Sequence, residues 1–354
     1  MTVAMFHASL PAAQRKVGGV EVAVHRLANA LVAQGEDVLM LSLDPPPSDA
    51  LYRHAKLFPR WPWLRRWTLA RWLVLPVLLN GLPLRGVTVL HLHGDDWFYL
   101  RRRVPTVRTF HGSALREGKY ARRWRRKISQ YAFYPMERLA ARLATLPVAV
   151  GSDAAAIYAH GRRVLNGVDL DLFHPGPKTQ APTLLFVGTW EGRKRGRWLC
   201  EVFSREIRPR VPDAELWLVC DAFPDLPGVR PIRFPDDEAL AALYRQAWVF
   251  AYPSVYEGFG IPYVEALASG TAIVSSPNSG ARDVLADGRF GVIADDAAFG
   301  DQVVALLGDH ERRRKLEEAG RQEASRYAWT VVAADHRKLY EEASRSRPGS
   351  DPAA

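Results

Sequence analysis

Glu257 and Glu265 stand in the stretch YEGFGIPYVEALASGTAIVSS (256–276), separated by Gly258, Phe259, Gly260 and a short run containing Pro262. Carboxylates accept hydrogen bonds, and two of them facing one crevice suit the paired hydroxyls of a ribose or a sugar. Gly258 and Gly260 permit unusual backbone angles and close approach of a ligand. Pro262 fits the first turn of a helix, whose free amides can receive phosphate or hydroxyl oxygens. The same spacing also fits a plainer assignment, with Glu265 as a partner of the helix dipole and Glu257 as a solvated loop acid. His7, His91, His93 and His111 raise the possibility of a metal site. However, the HLH of 91–93 lies on an expected strand with both rings on one face, as packing histidines do. The nearest approach to an Asp-x-Asp metal element is GDD (94–96), which reads as a loop.

Strands must end beneath such residues. Strand patterns at 3–9, 37–43, 87–94, 104–112 and 146–152 alternate with helical patterns, clearest at 17–35 and 125–144. Gly35 closes the first helix. A strand, glycine loop, helix and strand in that order form a βαβ unit with parallel pairing. The stretch VLNGVDLDLFHPGPKTQAP (164–182) is dense in Pro, Gly and Asp and marks a junction. Beyond it, strands at 183–190, 214–221, 248–254 and 271–276 alternate with helices from 194, at 236–247 and at 261–270. The expectation is α/β: two Rossmann-like domains, 1–170 and 171–326, with ligands bound beyond the carboxyl ends of the strands. A C-terminal helix over 327–343 and a disordered tail over 344–354 complete the chain.

A chain of 354 residues, 48% hydrophobic and 24% charged, suits two globular domains rather than a disordered or fibrous protein. The two cysteines, Cys200 and Cys220, offer neither a disulfide framework nor metal-ligand spacing, which favours a reducing compartment. The N-terminus lacks a secretory pattern, and no uncharged apolar window reaches membrane-spanning length. The net charge of +10 is concentrated: residues 51–130 hold 18 Lys/Arg against Asp95, Asp96 and Glu117. That imbalance points to an acidic partner or to a solvated basic surface. LFPRWPWLRRWTLARWLVLPVLLNGLPL (57–84) mixes Trp, Arg and Leu as interfacial helices do, with Trp63, Leu64 and Trp67 on one helical face and Arg71 on that same face. The basic run KYARRWRRK (119–127) adds charge, so an anionic membrane surface is an expected partner. Alternatively, the tryptophans line a pocket or core. Cytoplasmic location, peripheral on the inner face of the plasma membrane, follows from that reading.

The pattern E-G-F-G-I-P-x-x-E-A-L-A-x-G-x-x-I-V-x-S resembles the signature of retaining glycosyltransferases of the GT-B fold, the E-x7-E family (family 4, group 1). The segments GGVEVAVHRLANALVAQGEDV, TFHG, NGVDLDLFHP and YAWTVVAADHRKLY are similar to further family elements in the same order, covering nearly the whole chain. The resemblance implies two Rossmann-like domains facing across a cleft, with C-terminal helices returning to the first. It implies Glu265 on the nucleotide ribose, with Glu257 and the amides around Phe259 and Gly260 on the donor sugar. Gly18 and Gly19 would lie near the donor phosphates, and His111 against the donor sugar. VGTWEGRKRG (187–196) departs from the family: Thr189 replaces the usual arginine, and Arg193, Lys194 and Arg195 are all available. Lys194, with Arg193 or Arg195 beside it, is expected on the diphosphate. Such cations and amides stabilise the leaving group without a metal. The expected donor is a UDP- or GDP-sugar, and the acceptor a hydroxyl of a glycan, lipid-linked or small molecule. The expected chemistry is front-face, with retention and no cofactor. A sugar-nucleotide epimerase on the same scaffold is the alternative. A nucleic-acid-binding protein is a further one, suggested by the basic segment but lacking a recognised motif.

Overall fold

The computed structural model describes residues 1–11, 18–59, 61, 63–101, 104–121 and 123–346. The chain divides into two units. One comprises Met1–Leu115, Ser129–Gly167 and Trp329–Ala354, and the other Arg116–Ile128 and Val168–Ala328.

The first unit is built on β1 (Thr2–Phe6), β2 (Asp37–Ser42), β3 (Arg53–Lys56), β4 (Val89–Leu92), β5 (Thr106–Phe110) and β6 (Leu146–Ala149). These pair in parallel in the order β3-β2-β1-β4-β5-β6. Strands β4 and β5 are buried at every position, as strands covered on both faces are. Strand β3, with the sequence RHAK, carries exposed Arg53 and Lys56 on the sheet edge. Its polar composition leaves no apolar period to read, and a charged edge resists unwanted pairing.

Helix α1 (Gly19–Ala33) follows β1. Between β3 and β4 the Trp/Arg segment forms three short helices, α2 (Trp63–Arg66), α3 (Thr68–Leu73) and α4 (Leu75–Leu78). This corrects the single helical face expected for it, because the break at Trp67 resets the wheel. Leu64 is fully buried while Trp63 and Trp67 are exposed. Arg71 leaves the apolar face altogether, pairing with Asp95 at 2.7 Å and donating to Ser9 Oγ at 3.1 Å. Then come α5 (Ala114–Tyr120), α6 (Trp124–Leu143) and, after β6, α7 (Ser152–Tyr158). The segment Arg116–Ile128, placed by sequence in the first domain, belongs to the second unit.

The second unit holds β7 (Thr183–Val187), α8 (Gly196–Val202), β8 (Glu215–Val219), β9 (Val229–Ile232) and α9 (Asp237–Gln246). It continues with β10 (Val249–Tyr252), α10 (Ile261–Ala268), β11 (Ala272–Ser275), α11 (Ser279–Val284) and β12 (Val292–Ile293). Helices α12 (Phe299–Gly308) and α13 (His310–Ala324) close it. Its parallel sheet runs β12-β11-β10-β7-β8-β9, the same winding as the first. In such a sheet the strand order reverses beside the first strand, opening a crevice at the carboxyl ends of β1/β4 and of β7/β10.

The last helix, α14 (Trp329–Arg345), returns to the first unit. Its buried residues Val332, Ala333, His336, Tyr340 and Ala343 recur at three- and four-residue intervals, one apolar stripe. Gly167 of the junction segment lies under this helix: a Cβ there would sit 2.3 Å from the Trp329 ring. The helix extends through Ser344 and Arg345, which the sequence assigned to the tail, and 347–354 lie outside the described residues.

Candidate active site

In the second unit the two loops at the β7/β10 crevice carry most of the expected donor-site residues. The loop after β7 is tight because two glycines allow it. A Cβ on Gly188 would meet Phe186 at 2.5 Å, and one on Gly196 would meet Phe186 and the Thr189 carbonyl at 3.1 Å. Val255 N donates to Arg193 O at 2.9 Å, stitching this loop to the one after β10.

Three adjacent cations take three different positions. The Arg193 guanidinium pairs with Glu257 at 2.6 Å and donates to Tyr256 O at 2.7 Å. Arg195 sits in the left-handed region at φ 60° and points elsewhere. It grips Asp296 through two bonds of 2.7 Å and covers the Trp198 ring at 3.9 Å, beside a cleft lined by Trp190, Gly192 and Arg197. Lys194 Nζ lies 5.4 Å from the centre of the Tyr252 ring, and its charge lowers the pKa of both Glu257 and Glu265. Of the three, Lys194 is therefore the cation whose field both glutamates share.

Glu257 is buried and accepts from Tyr252 Oη and Ser254 Oγ, each at 2.8 Å. Burial pushes its carboxyl up, but Arg193, Lys194 and the hydrogen bonds outweigh that and hold it below the ordinary carboxylate range. It is an ionised, buried anchor held through Oε1 rather than a solvated loop acid. Glu265 behaves oppositely. Burial dominates over the Tyr244 hydroxyl and Lys194, and its pKa is pushed up to about 7.

Between them the chain turns. Gly260 caps α10 at φ 94°, and a Cβ there would lie 2.4 Å from the Tyr263 ring, so glycine is required. Pro262 falls in the first turn of α10, where its missing N–H costs nothing. Gly258 is partly exposed, while the Phe259 side chain is buried edge-on against Tyr327 at 5.9 Å, leaving its main chain to the loop.

Residues not singled out from sequence hold this loop from behind. Asn278 caps α11 through Ala281 N at 2.8 Å, and its amide donates to Ser254 O at 2.9 Å and to Tyr263 Oη at 2.9 Å. Gly280 N and Ser279 Oγ donate to Glu257 O at 3.1 and 3.0 Å, and a Cβ on Gly280 would strike Phe259 O at 2.5 Å. The signal was present in SPNSG after β11, an N-cap residue followed by a small one at a strand's carboxyl end.

In the first unit, His7, His93 and His111 follow the neighbouring strands β1, β4 and β5. His93 Nδ1 and His111 Nε2 share a hydrogen bond of 3.0 Å. Burial, then the nearby His7 and Arg108, pushes His111 down to about 3, so its ring is neutral. His91 is a packing histidine as expected, bonded through both nitrogens to Tyr340 Oη and Thr109 Oγ1 at 2.8 Å. Gly18 caps α1 and Gly19 begins it, both exposed, with Gly18 N donating to Glu21 Oε2 at 2.9 Å. The GDD loop is held by arginines: Asp95 by Arg71 and the buried Asp96 by Arg108, each at 2.7 Å. Among the described residues no cluster of His, Cys, Asp and Glu has the arrangement of a metal site.

Comparison with known proteins gives the family and the fold. The family model described as Glycosyltransferase Family 4 matches residues 17–172, and that described as Glycosyl transferases group 1 matches residues 181–309. A phosphatidyl-myo-inositol mannosyltransferase of Mycobacterium tuberculosis is 30% identical over 72% of this chain and 73% of its own. The MMP alpha-(1->4)-mannosyltransferase of Mycolicibacterium hassiacum is 32% identical over 68% of this chain and 66% of its own. Among solved structures, sucrose-phosphate synthase from Thermosynechococcus elongatus superimposes with a TM-score of 0.76 at 21% identity, covering 98% of this chain and all of the other. The Anabaena protein HepE, in complex with UDP-glucose, superimposes with a TM-score of 0.72 at 15% identity over 97% of this chain and 100% of its own. These matches lend no support to an epimerase or a nucleic-acid-binding protein. The chain belongs to glycosyltransferase family 4, the group 1 glycosyl transferases, and is a glycosyltransferase of the GT-B fold.

Proposed function

We propose that the enzyme moves a hexosyl group, with retention, from a UDP- or GDP-sugar to a hydroxyl of a glycan, lipid-linked or small-molecule acceptor. The observation that carries this reading is the contrast between the two glutamates around one glycine turn. Glu257 is ionised and held at Oε1 by Arg193, Tyr252 and Ser254. Glu265 has a raised pKa and gains from hydroxyl donors that stabilise its charged form. A ribose diol on Glu265 meets that need, and the donor sugar then lies towards Glu257 and the amides of Gly258, Phe259 and Gly260. The printed names of relatives support the substrate classes: the mycobacterial relatives are mannosyltransferases, one of them acting on phosphatidyl-myo-inositol, and HepE holds UDP-glucose.

Breaking the glycosyl–phosphate bond leaves negative charge on the departing diphosphate. Lys194, with Arg193 beside it and the amides of Gly18 and Gly19, stabilises that charge as it develops. Arg195 acts less directly in this reading, holding the loop through Asp296. His111 is the donor-sugar contact of this reading. The acceptor hydroxyl attacks from the face the phosphate leaves, and a phosphate oxygen takes its proton. The protein's own cations do the work a metal would otherwise do, so the reading requires no cofactor.

The reading extends to an anionic membrane surface, supported by the exposed Trp61, Trp63, Trp67 and Val77 of the 57–84 segment and by Trp124 in the 119–127 run. No helix among the described residues is long and apolar enough to cross a membrane. Calorimetric titration with UDP and GDP, with Glu265→Ala alongside, tests the donor site. One nucleotide should bind and be weakened by the substitution, and unchanged binding by the variant removes Glu265 from the ribose. The anomeric configuration of the product, read by NMR, tests retention.

A further inference from the structure

We infer that His93 is a positioning residue for His111, fixing both the orientation of its ring and the nitrogen that carries its proton. This rests on the reading of His111 as a donor-sugar contact.

The two rings stack at 5.3 Å with Nδ1 of His93 3.0 Å from Nε2 of His111. Behind His93 lies the His91 ring, 3.9 Å away. His91 cannot turn, because Tyr340 and Thr109 hold its two nitrogens. His93 is therefore backed by a fixed plate and is itself only 4% exposed. Its partner cannot reorient without breaking their shared bond.

The proton count follows from neutrality, which burial imposes on both rings. Two neutral imidazoles carry two N–H groups, and one of them occupies the bond between the rings. If His93 Nδ1 donates, His111 carries its proton on Nδ1 and offers a donor there. If His111 Nε2 donates, His111 Nδ1 is a bare acceptor. Either way the tautomer of His111 is tied to that of His93, as outer-shell partners tie those of metal-bound histidines.

Packing alone does not explain the arrangement. His91 shows what a packed histidine does here, satisfying both nitrogens, whereas His93 Nε2 and His111 Nδ1 are buried without a partner. Both residues border a small cavity with Thr109, Asn166, Trp329 and His336. Buried polar atoms are rarely left unpaired unless a water or ligand completes them. The cavity has about 10 Å³ of space, room for one water, so His111 Nδ1 is the ring nitrogen left for a bridging water.

The test compares His93→Leu, His93→Asn and His111→Ala in the full chain. Asparagine places an amide near the position of Nδ1, and leucine places none. Nitrogen-15 NMR of labelled histidine should show one tautomer of His111 in the wild type and in His93→Asn, and a mixture in His93→Leu. Release of nucleotide from UDP-glucose or GDP-mannose, whichever is turned over, should fall about tenfold or more in kcat for His93→Leu. The donor KM should stay within about threefold, with His93→Asn largely restoring the rate. An unchanged His111 tautomer in His93→Leu overturns the inference, as does equal loss of rate in the Asn and Leu variants. A His111→Ala enzyme with full activity instead removes His111 from the donor site, and the NMR result then stands by itself.

Discussion

Arg193 and Glu257 stand on different loops and meet at 2.6 Å, so one ion pair fastens the loop after β7 to the loop after β10. The pair is largely withdrawn from water on the Glu257 side, where the carboxylate is only 7% exposed. Removing Arg193 leaves a buried charge with two hydroxyl hydrogen bonds and the field of Lys194. Arg193→Met should therefore destabilise the protein by about 3 kcal/mol in urea unfolding, the cost typical of an orphaned buried charge. Arg193→Met with Glu257→Gln should recover part of that loss while remaining inactive. A stable single variant would show that the pair does not hold the loops.

With Glu265 on the ribose, as proposed, nucleotide binding has a pH dependence of defined sign. With its pKa at about 7 in the free protein, a ligand favouring the carboxylate must displace a proton at lower pH. Affinity for the bound nucleotide should weaken as pH falls below 7, approaching about tenfold per unit. Calorimetry in buffers of different ionisation heat should detect proton release near neutrality. Glu265→Gln should abolish both the release and the slope.

The same group affects stability in the opposite direction from an ordinary paired acid. Its folded pKa lies above the unfolded one, so between about 4.5 and 7 the folded state binds more protons. Its contribution to stability is fully present below the unfolded value and is lost as pH rises through 7. Glu265→Gln should thus stabilise the ligand-free protein at pH 8 by about 1–2 kcal/mol, read as a higher melting temperature. The proposed ribose contact at that position is one that costs the ligand-free fold stability above neutral pH.

Lys178 anchors the start of the second unit. Its Nζ donates to Ala247 O and Gly270 O at 2.8 Å and to Thr271 Oγ1 at 3.2 Å, and burial lowers its pKa to about 8. Between pH 8 and the unfolded value of 10.5 the unfolded chain binds more protons, so this group makes stability rise with pH across that window. Lys178→Met should flatten that rise. It should also cost about 2 kcal/mol at neutral pH, because three acceptors lose their donor.

The alternation of apolar strands and helices was legible because the buried strands β1, β7 and β10 read as near-continuous apolar runs. The edges were not: β3 is basic, β9 (VRPI) carries an exposed Arg230 and a proline, and β12 has two residues. At the candidate site, the glycine turn after Glu257 and the helix start at Pro262 before Glu265 were legible from spacing and from the family pattern. The division of labour among Arg193, Lys194 and Arg195 was not, since it depends on a left-handed backbone at Arg195 and on Asp296 a hundred residues away. The inward turn of Arg71 was hidden for a similar reason. A wheel assumes one continuous helix, and the segment breaks at Trp67. The histidine pair needed strands β4 and β5 to lie side by side, which no local pattern states.

The return of α14 to the first unit has a consequence for how the protein is made. Synthesis runs from the N-terminus, and N-terminal domains ordinarily fold first. Here the residues that back His91 and cover Gly167 are Tyr340 and Trp329. A chain still on the ribosome has every strand of its first sheet yet lacks the helix that completes it until all of Val168–Ala328 has emerged. The later unit should therefore reach protease resistance earlier. Stalled chains released after residue 328 should show a protected second unit and a digestible first one, and the opposite pattern would show that the first sheet closes without its last helix.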